Sequence, residues 1–265
     1  MKWIISTIIL IFLLSFIAPK SEYSKKLKTP PGTVKLNDNL FFDKTEIGNV
    51  DWRIYEEWLR NNSNNSIVVL QNIPDSTVWI TDNTTSSPYT NYYYRHPSFN
   101  NYPVVGVSYE QAIAFCKWRS DRVNELLAKD PKQNPFPSKK YRYRLPTVEE
   151  WEGAAENLDS TNIPRILRNK GTNKLKYLAN FYDGKTAANL KDAMVYTAAV
   201  DSYKPNKFGV VNMIGNVSEM TATKGIAKGG NFLLPLDDCT IKGEQHYTKA
   251  AAWLGFRCVC EIVKE

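Results

Sequence analysis

The chain has 265 residues, 43% hydrophobic and 23% charged, a balance that fits a globular protein and excludes a disordered one. Four cysteines and two histidines, His96 and His246, rule out a three-histidine zinc or iron centre. No GxGxxG, GxxxxGKS/T or GxSxG occurs, which removes nucleotide-binding loops and a nucleophile elbow. The formal charge of +7 is concentrated at one end: Lys2, Lys20, Lys25, Lys26 and Lys28 against Glu22 give +4, leaving +3 after Thr29. So small an excess does not make a phosphate-binding surface, and no nucleic-acid partner is expected.

Residues 1–19 read as an export signal or an N-terminal anchor. Lys2 precedes sixteen residues, Trp3 to Ala18, interrupted only by Ser6, Thr7 and Ser15. That run is short of the roughly 20 residues of a membrane span and fits an export signal. Cleavage after Ala18 places Phe16 where a small residue is preferred, so a retained anchor stays open. No cysteine follows the run, which excludes a lipoprotein anchor. Export would put the body in the periplasm or on the periplasmic face of a membrane, an oxidising setting. Membrane contact is expected only through this segment if it is uncleaved. Residues 20–29 form a basic linker, and one domain is expected over 30–262.

Within that domain, 36–49 (LNDNLFFDKTEIGN) reads as a strand entering a turn. Trp52, Tyr55 and Leu59 fall on one face of a short helix over 51–60. A polar loop covers 61–66, and 74–101 lacks periodicity, which predicts a long ordered loop. Its rings, Tyr89, Tyr92, Tyr93, Tyr94 and Phe99, either pack on one another or line a groove; self-packing is the plainer account. Ser108 to Gln111 is a capping box, in which the hydroxyl accepts from an orphan amide and Gln111 reaches back. The helix it opens runs to about Leu127, burying Ala112, Phe115, Cys116 and Val123, and proline-rich 129–137 breaks it. A second box, Thr147 to Glu150, opens a helix carrying Trp151, Ala154 and Ala155. Glu149 and Glu150 suit the dipole of that first turn rather than acid–base work. After 157 the pattern is loop-rich, with short apolar pieces at 194–200, 208–213 and 226–234. His96 reads as a loop hydrogen-bonder.

Five blocks carry a resemblance: YPVVGVSYEQAIAFCKWRS (102–120), YRLPTVEEWEGAA (143–155), PNKFGVVNMIGNVSEM (205–220), KGGNF (228–232) and LGFRCV (254–259). With FDKTEIGNVDW (42–52) before them, they resemble, in order, the formylglycine-generating enzyme or sulfatase-modifying factor family over roughly residues 30–260. The resemblance implies an α+β, loop-rich single domain of C-type-lectin-like topology with little regular secondary structure. It also implies the family's activity, oxidation of a sulfatase cysteine to formylglycine with oxygen and copper held by two thiolates. Soft Cu(I) prefers such a thiolate pair. Counted from Gly229-Gly230, the two positions are Leu234 and Cys239, and Asn231 stands where the family's motif has serine. Cys239 is therefore unpaired, and neither Cys260 nor His246 is spaced to replace the missing ligand.

The same resemblance implies a structural disulfide between Cys116 and Cys258, which in the chain-entropy model contributes on the order of 5 kcal/mol. Cys239 would then be free or bridged to Cys260. Calcium is the implied cofactor. The N-x-x-G-N-x-x-E pattern assigns one site to the side chains of Asn212 and Glu219 and the carbonyls of Gly215 and Val217; turn capping and a surface carboxylate are the alternative. A hard cation needs such converging oxygens. A second site would use Asn180, Phe181, Asp192 and Met194. Arg257 is expected to tie the core. The related ergothioneine-type sulfoxide synthases need a histidine-rich iron site that two histidines cannot supply.

Two functions follow. One is a non-catalytic binding or scaffold component of the bacterial envelope with a protein partner. The blocks around 94–125 and 253–259 resemble the gliding-motility and type IX secretion lipoproteins that carry this fold, although the lipidation cysteine is missing. The other is a copper- and oxygen-dependent oxidase of a sulfatase cysteine.

Overall fold

A computed structural model describes residues 27–80, 87–156, 166–168, 175–182, 184 and 196–263. The apolar leader, most of the basic linker, and Asp192 and Met194 lie outside the described residues. Among the described residues no helix is long and apolar enough to cross a membrane.

The first strands form a hairpin, β1 (Thr33–Lys35) and β2 (Leu40–Asp43). The strand expected within 36–49 begins only at Leu40, because residues 36–39 form the hairpin's turn. The Asn37 Oδ1 accepts from the amides of Asn39 and Leu40, so the side chain replaces ladder bonds there. The chain then enters α1 (Asn49–Asn62), whose Trp52, Tyr55 and Leu59 are buried as their spacing predicted. Asp51 in its first turn accepts from the Gly48 amide. A one-turn helix, α2 (Ser66–Leu70), capped by Asn65, follows the polar loop.

The aperiodic stretch is built from short turns, Ser76–Trp79, α3 (Pro88–Tyr92) and Pro97–Phe99. Its rings pack on each other: Tyr93 lies 4.6 Å from Trp79 and 5.4 Å from Phe99, and Tyr89 5.6 Å from Phe99. His96 caps the last of these turns, its Nδ1 accepting from the Ser98 amide.

The long helix α4 (Tyr109–Lys129) begins at the Ser108 capping box. Phe115 stacks on Trp52 at 5.5 Å and meets Phe256 edge-on at 5.6 Å, which places the largest rings at the core's centre. The polar side of α4 is used as well. Asn124 pairs with both backbone groups of Tyr141, and Ser120 Oγ accepts from the Tyr143 amide, so the helix covers the edge of β3 (Lys140–Arg144). A second helix, α5 (Val148–Ala155), opens at the Thr147–Glu150 box; Glu150 also binds Arg144.

β4 (Ile166–Arg168) and β5 (Leu175–Tyr177) pair with each other. The remaining strands are β6 (Ser218–Met220), β7 (Ile226–Lys228), β8 (Glu244–His246), β9 (Leu254–Gly255) and β10 (Val259–Val263). They complete two open four-stranded sheets, ordered β1-β2-β10-β3 and β8-β7-β6-β9. β9 runs parallel to β6, whereas β10 lies antiparallel between β2 and β3. Three residues separate β9 from β10, and the middle one is Arg257, where the chain passes from one sheet to the other.

Candidate functional site

The Gly229-Gly230 pair and Cys239 meet where the second sheet passes into loops. β7 ends in Gly229 and Gly230, both with positive φ, +94° and +71°. An added Cβ at Gly230 would lie 2.5 Å from the Cys239 sulfur, so only glycine allows this approach. Asn231, in the place of serine, braces the turn. Its amide nitrogen donates to Ser218 Oγ on β6 at 2.9 Å, and its Oδ1 accepts from the Leu233 amide at 3.0 Å. The chain continues through Leu234 and a single 3-10 turn, Leu236–Asp238, which delivers Cys239.

Cys239 is 3% exposed. Its sulfur lies 3.7 Å from the Asn231 carbonyl and 3.8 Å from that of Leu234. Burial pushes this thiol up to about 11, so at neutral pH it stays protonated. The residue at the first copper position, Leu234, offers only its backbone, with its carbonyl accepting from Tyr182 and its amide donating to Asn231. His246 is exposed on β8. Cys260 sits in β10 with its thiol raised to about 12 by burial, and its sulfur contacts the Glu261 carbonyl rather than this turn. Among the described residues copper therefore meets one buried neutral thiol and no second soft ligand at this turn. The residues present do not fit that ion.

Cys116 on α4 and Cys258 before β10 come together as buried thiols with their sulfurs 3.4 Å apart. The Cys258 amide donates to Asp43 Oδ2 at 2.8 Å, and Asp43 is held by Arg119 through both carboxylate oxygens.

Behind the turn lies a buried polar centre. Arg257, fully buried, donates Nε to Glu219 Oε2 at 2.6 Å and a second nitrogen to Glu219 Oε1. It also donates to the carbonyls of Val211 and Asp43. Trp151 from α5 donates its indole N–H to Glu219 Oε2 at 2.7 Å. Glu219 thus joins two strands' ends and a helix, and Arg257 ties the core as its motif implied.

Glu46, which sequence reasoning did not single out, is the second carboxylate of this centre. It is 1% exposed, lies 3.9 Å from Arg257, and accepts from the side-chain amides of Asn216 at 2.7 Å and Asn212 at 3.2 Å. Desolvation, opposed by Arg257 and reinforced by Glu219, raises its carboxyl to about 7.

Asn212 and Asn216 both adopt positive φ, +57° and +62°. The Asn212 nitrogen also donates to the carbonyl of Val200 at 3.1 Å, and its Oδ1 is buried with no partner among the described residues. That orphaned oxygen is the one feature here that suits a hard cation. The side-chain oxygens of Glu219, by contrast, are committed to Arg257 and Trp151. Of the oxygen set that the resemblance implies for calcium, the Asn212 and Glu219 side chains both lie at this buried centre. Gly215 lies against Asn180, whose carbonyl accepts from the Asn216 amide at 2.7 Å, and Asn180 Nδ2 donates to Asn216 Oδ1 at 3.2 Å. Val217 packs into the core, and of the second expected set only Asn180 and Phe181 are described. Among the described residues no three His, Cys, Asp or Glu side chains converge on one point.

A mixed, loop-rich single domain with two open sheets and a glycine-built turn over a buried Glu–Arg pair defines the class of fold. The chain belongs to the family described as "Sulfatase-modifying factor enzyme 1-like domain", which matches residues 15–262. It is 27% identical over 191 residues to the formylglycine-generating enzyme of Mus musculus, covering 61% of this chain and 45% of that protein. It is likewise 27% identical over 194 residues to the formylglycine-generating enzyme of Thermomonospora curvata, covering 61% and 56%. The chain thus spans about half the length of these curated relatives. A solved structure titled "Crystal Structure of CarF" shares the fold with a TM-score of 0.51 and 19% identity, over 86% of this chain and 92% of that one.

Proposed function

We propose that this chain is a non-catalytic member of the family, a binding or scaffold component of the bacterial cell envelope that engages a protein partner. The observation that carries this reading is the Gly229–Cys239 turn: the first thiolate position is Leu234, and the second thiol is buried, neutral and packed on Gly230. Soft-metal redox chemistry at this turn would need two exposed thiolates. Export by the apolar leader places the domain in the envelope, and the resemblance of its helix and C-terminal blocks points to gliding motility or type IX secretion as the setting. Calcium at Asn212 belongs to this reading only as a structural ion.

The test is incubation of the purified full chain with Cu(I), oxygen and a peptide bearing a sulfatase cysteine motif, followed by mass spectrometry for the aldehyde. The expected result is no aldehyde in either the wild-type chain or Cys239→Ser. Turnover that disappears in Cys239→Ser would overturn the scaffold reading in favour of the oxidase. Crosslinking in envelope fractions then identifies the partner.

A further inference from the structure

The body of the chain carries its excess charge in one place. Between the end of α4 and β3, residues 129–140 hold Lys129, Lys132, Lys139 and Lys140 against Asp130 alone, a net +3. That equals the whole excess after Thr29, so the rest of the body is balanced in charge. All four lysines are exposed. Asp130 accepts from the Gln133 side chain at 2.8 Å, which ties it into the loop. The loop has a fixed shape: buried Asn134 accepts from the Phe136 amide at 2.9 Å, and Phe136 packs on Phe41 with ring centres 5.5 Å apart.

The basic linker arrives at the same loop. The Leu27 amide donates to the Gln133 carbonyl at 3.2 Å, and Lys28 beside it is exposed. In sequence, Lys20, Lys25 and Lys26 against Glu22 join the apolar run Trp3–Ala18 to this point. Aliphatic side chains stand close by. Leu126, in the last turn of α4, is 58% exposed. α1 and α4 run side by side in the same direction, since Trp52 meets Phe115, Tyr55 meets Trp118 and Trp58 meets Arg122 in step. Their C-terminal ends therefore lie together, and Ile67, 57% exposed, follows the turn after α1 at that end. Exposed lysines beside exposed aliphatics give one surface an affinity for both negative charge and hydrocarbon.

We propose that this end of the molecule docks on an anionic lipid bilayer, with Lys129, Lys132 and Lys139 at the headgroups and Leu126 entering below them. Long lysine stems reach past an inserted leucine to the charged layer. A neutral bilayer would leave the lysines unused, and a soluble polyanion would leave Leu126 and Ile67 in water; an anionic bilayer answers both. An apolar segment and a basic patch also reinforce each other, because attachment by one holds the other at the surface. The proposal adds a folded surface to the membrane contact that the sequence assigns to the leader. It rests on neither the Gly229–Cys239 turn nor the scaffold reading, and its lipid readout is separate from the aldehyde assay.

The experiment mixes the full chain with vesicles of phosphatidylcholine alone, or of phosphatidylcholine with phosphatidylglycerol. Flotation measures partition, and mass spectrometry follows amide hydrogen exchange across residues 126–139. The expected preference for anionic vesicles is about a hundredfold, falling as salt is raised, with exchange across 126–139 slowed only on those vesicles. The triple variant Lys129→Gln, Lys132→Gln, Lys139→Gln should cut that preference about tenfold and leave binding to neutral vesicles, which the leader carries, unchanged. Leu126→Asn should weaken anionic binding about threefold without altering its salt dependence. All four positions are exposed, so thermal unfolding should not change in either variant. A preference undiminished in the triple variant would assign it to the linker and overturn the proposal. So would exchange across 126–139 that vesicles leave unaltered. Displacement from the vesicles by a DNA duplex at lower phosphate concentration would make the surface a nucleic-acid site and overturn it as well.

Discussion

Around Arg257 each buried charge meets a partner drawn from a distant part of the chain, whereas the turn from Gly229 to Cys239 is held by neutral bonds, several of them within the turn. The centre joins β2, β6, α5 and the segment before β10 through one guanidinium and two carboxylates. The turn uses a glycine, an asparagine and a thiol that lie within nine residues of one another, with Ser218 on β6 as an outside anchor. The difference separates what the fold requires from what chemistry would require. Paired charges at the centre support the architecture and tolerate little change. The turn can lose a thiolate to Leu234 and still hold its shape, because Asn231, Gln245 and the backbone carry its bonds.

The comparison breaks most sharply at the centre. Arg257→Met should strand Glu219 and Glu46 as unpaired buried carboxylates and cost about 3–5 kcal/mol, read from urea unfolding. A loss under about 1 kcal/mol would show that the centre is not what holds the sheets together.

Glu46 sharpens the same point through pH. Its folded carboxyl, raised from 4.5 to about 7, holds a proton that the unfolded chain has already released across that window. Stability from this group is therefore present at the acidic end and declines as pH rises from about 4.5 through 7. The shift corresponds to a decline of up to about 3 kcal/mol, and Glu46→Gln should flatten the slope. An unchanged pH profile in that variant would assign the slope to other groups.

At the turn, Gly230→Ala forces a side chain into left-handed backbone and onto the Cys239 sulfur, with an expected cost of about 1–3 kcal/mol. The double variant with Cys239→Ala should recover only the sulfur's share, because the Cys239 Cα and Cβ also stand 2.7 and 2.8 Å from the added carbon; full additivity of the two losses would show that the sulfur has no share in the clash. The smallest effect is expected from Asn231→Ser, which restores the family's residue but loses the reach to Ser218; thermal unfolding should register about 1 kcal/mol.

Local signals in the sequence predicted the local structure. Ser108 and Thr147 open helices because capping geometry is complete within four residues. The α1 stripe is likewise short-range. The leucine at 234 and the loose spacing of cysteines and histidines were also readable along the chain. Glu46 was not. It sits in a polar stretch, DKTEIGN, that reads as a surface turn, and its partners Asn212 and Asn216 are 166 and 170 residues away. Burial of a carboxylate is decided by such distant donors, which periodicity does not report. The commitment of Glu219 to Arg257 was hidden for the same reason, with 38 residues between them. The β1–β2 hairpin was missed at shorter range, where Asn37 supplies side-chain acceptors in the middle of an otherwise strand-like run.

The position of β10 has a kinetic consequence. It is an inner strand of the first sheet, with Val259 opposite Phe42, yet it follows every other described strand in the chain. At ordinary synthesis rates, of about 5–20 residues per second, β2 waits on the order of ten to forty seconds for its partner to be made. Until then the hairpin has a bare edge and Phe41 has no cover from that side. Such a domain cannot finish folding as it emerges.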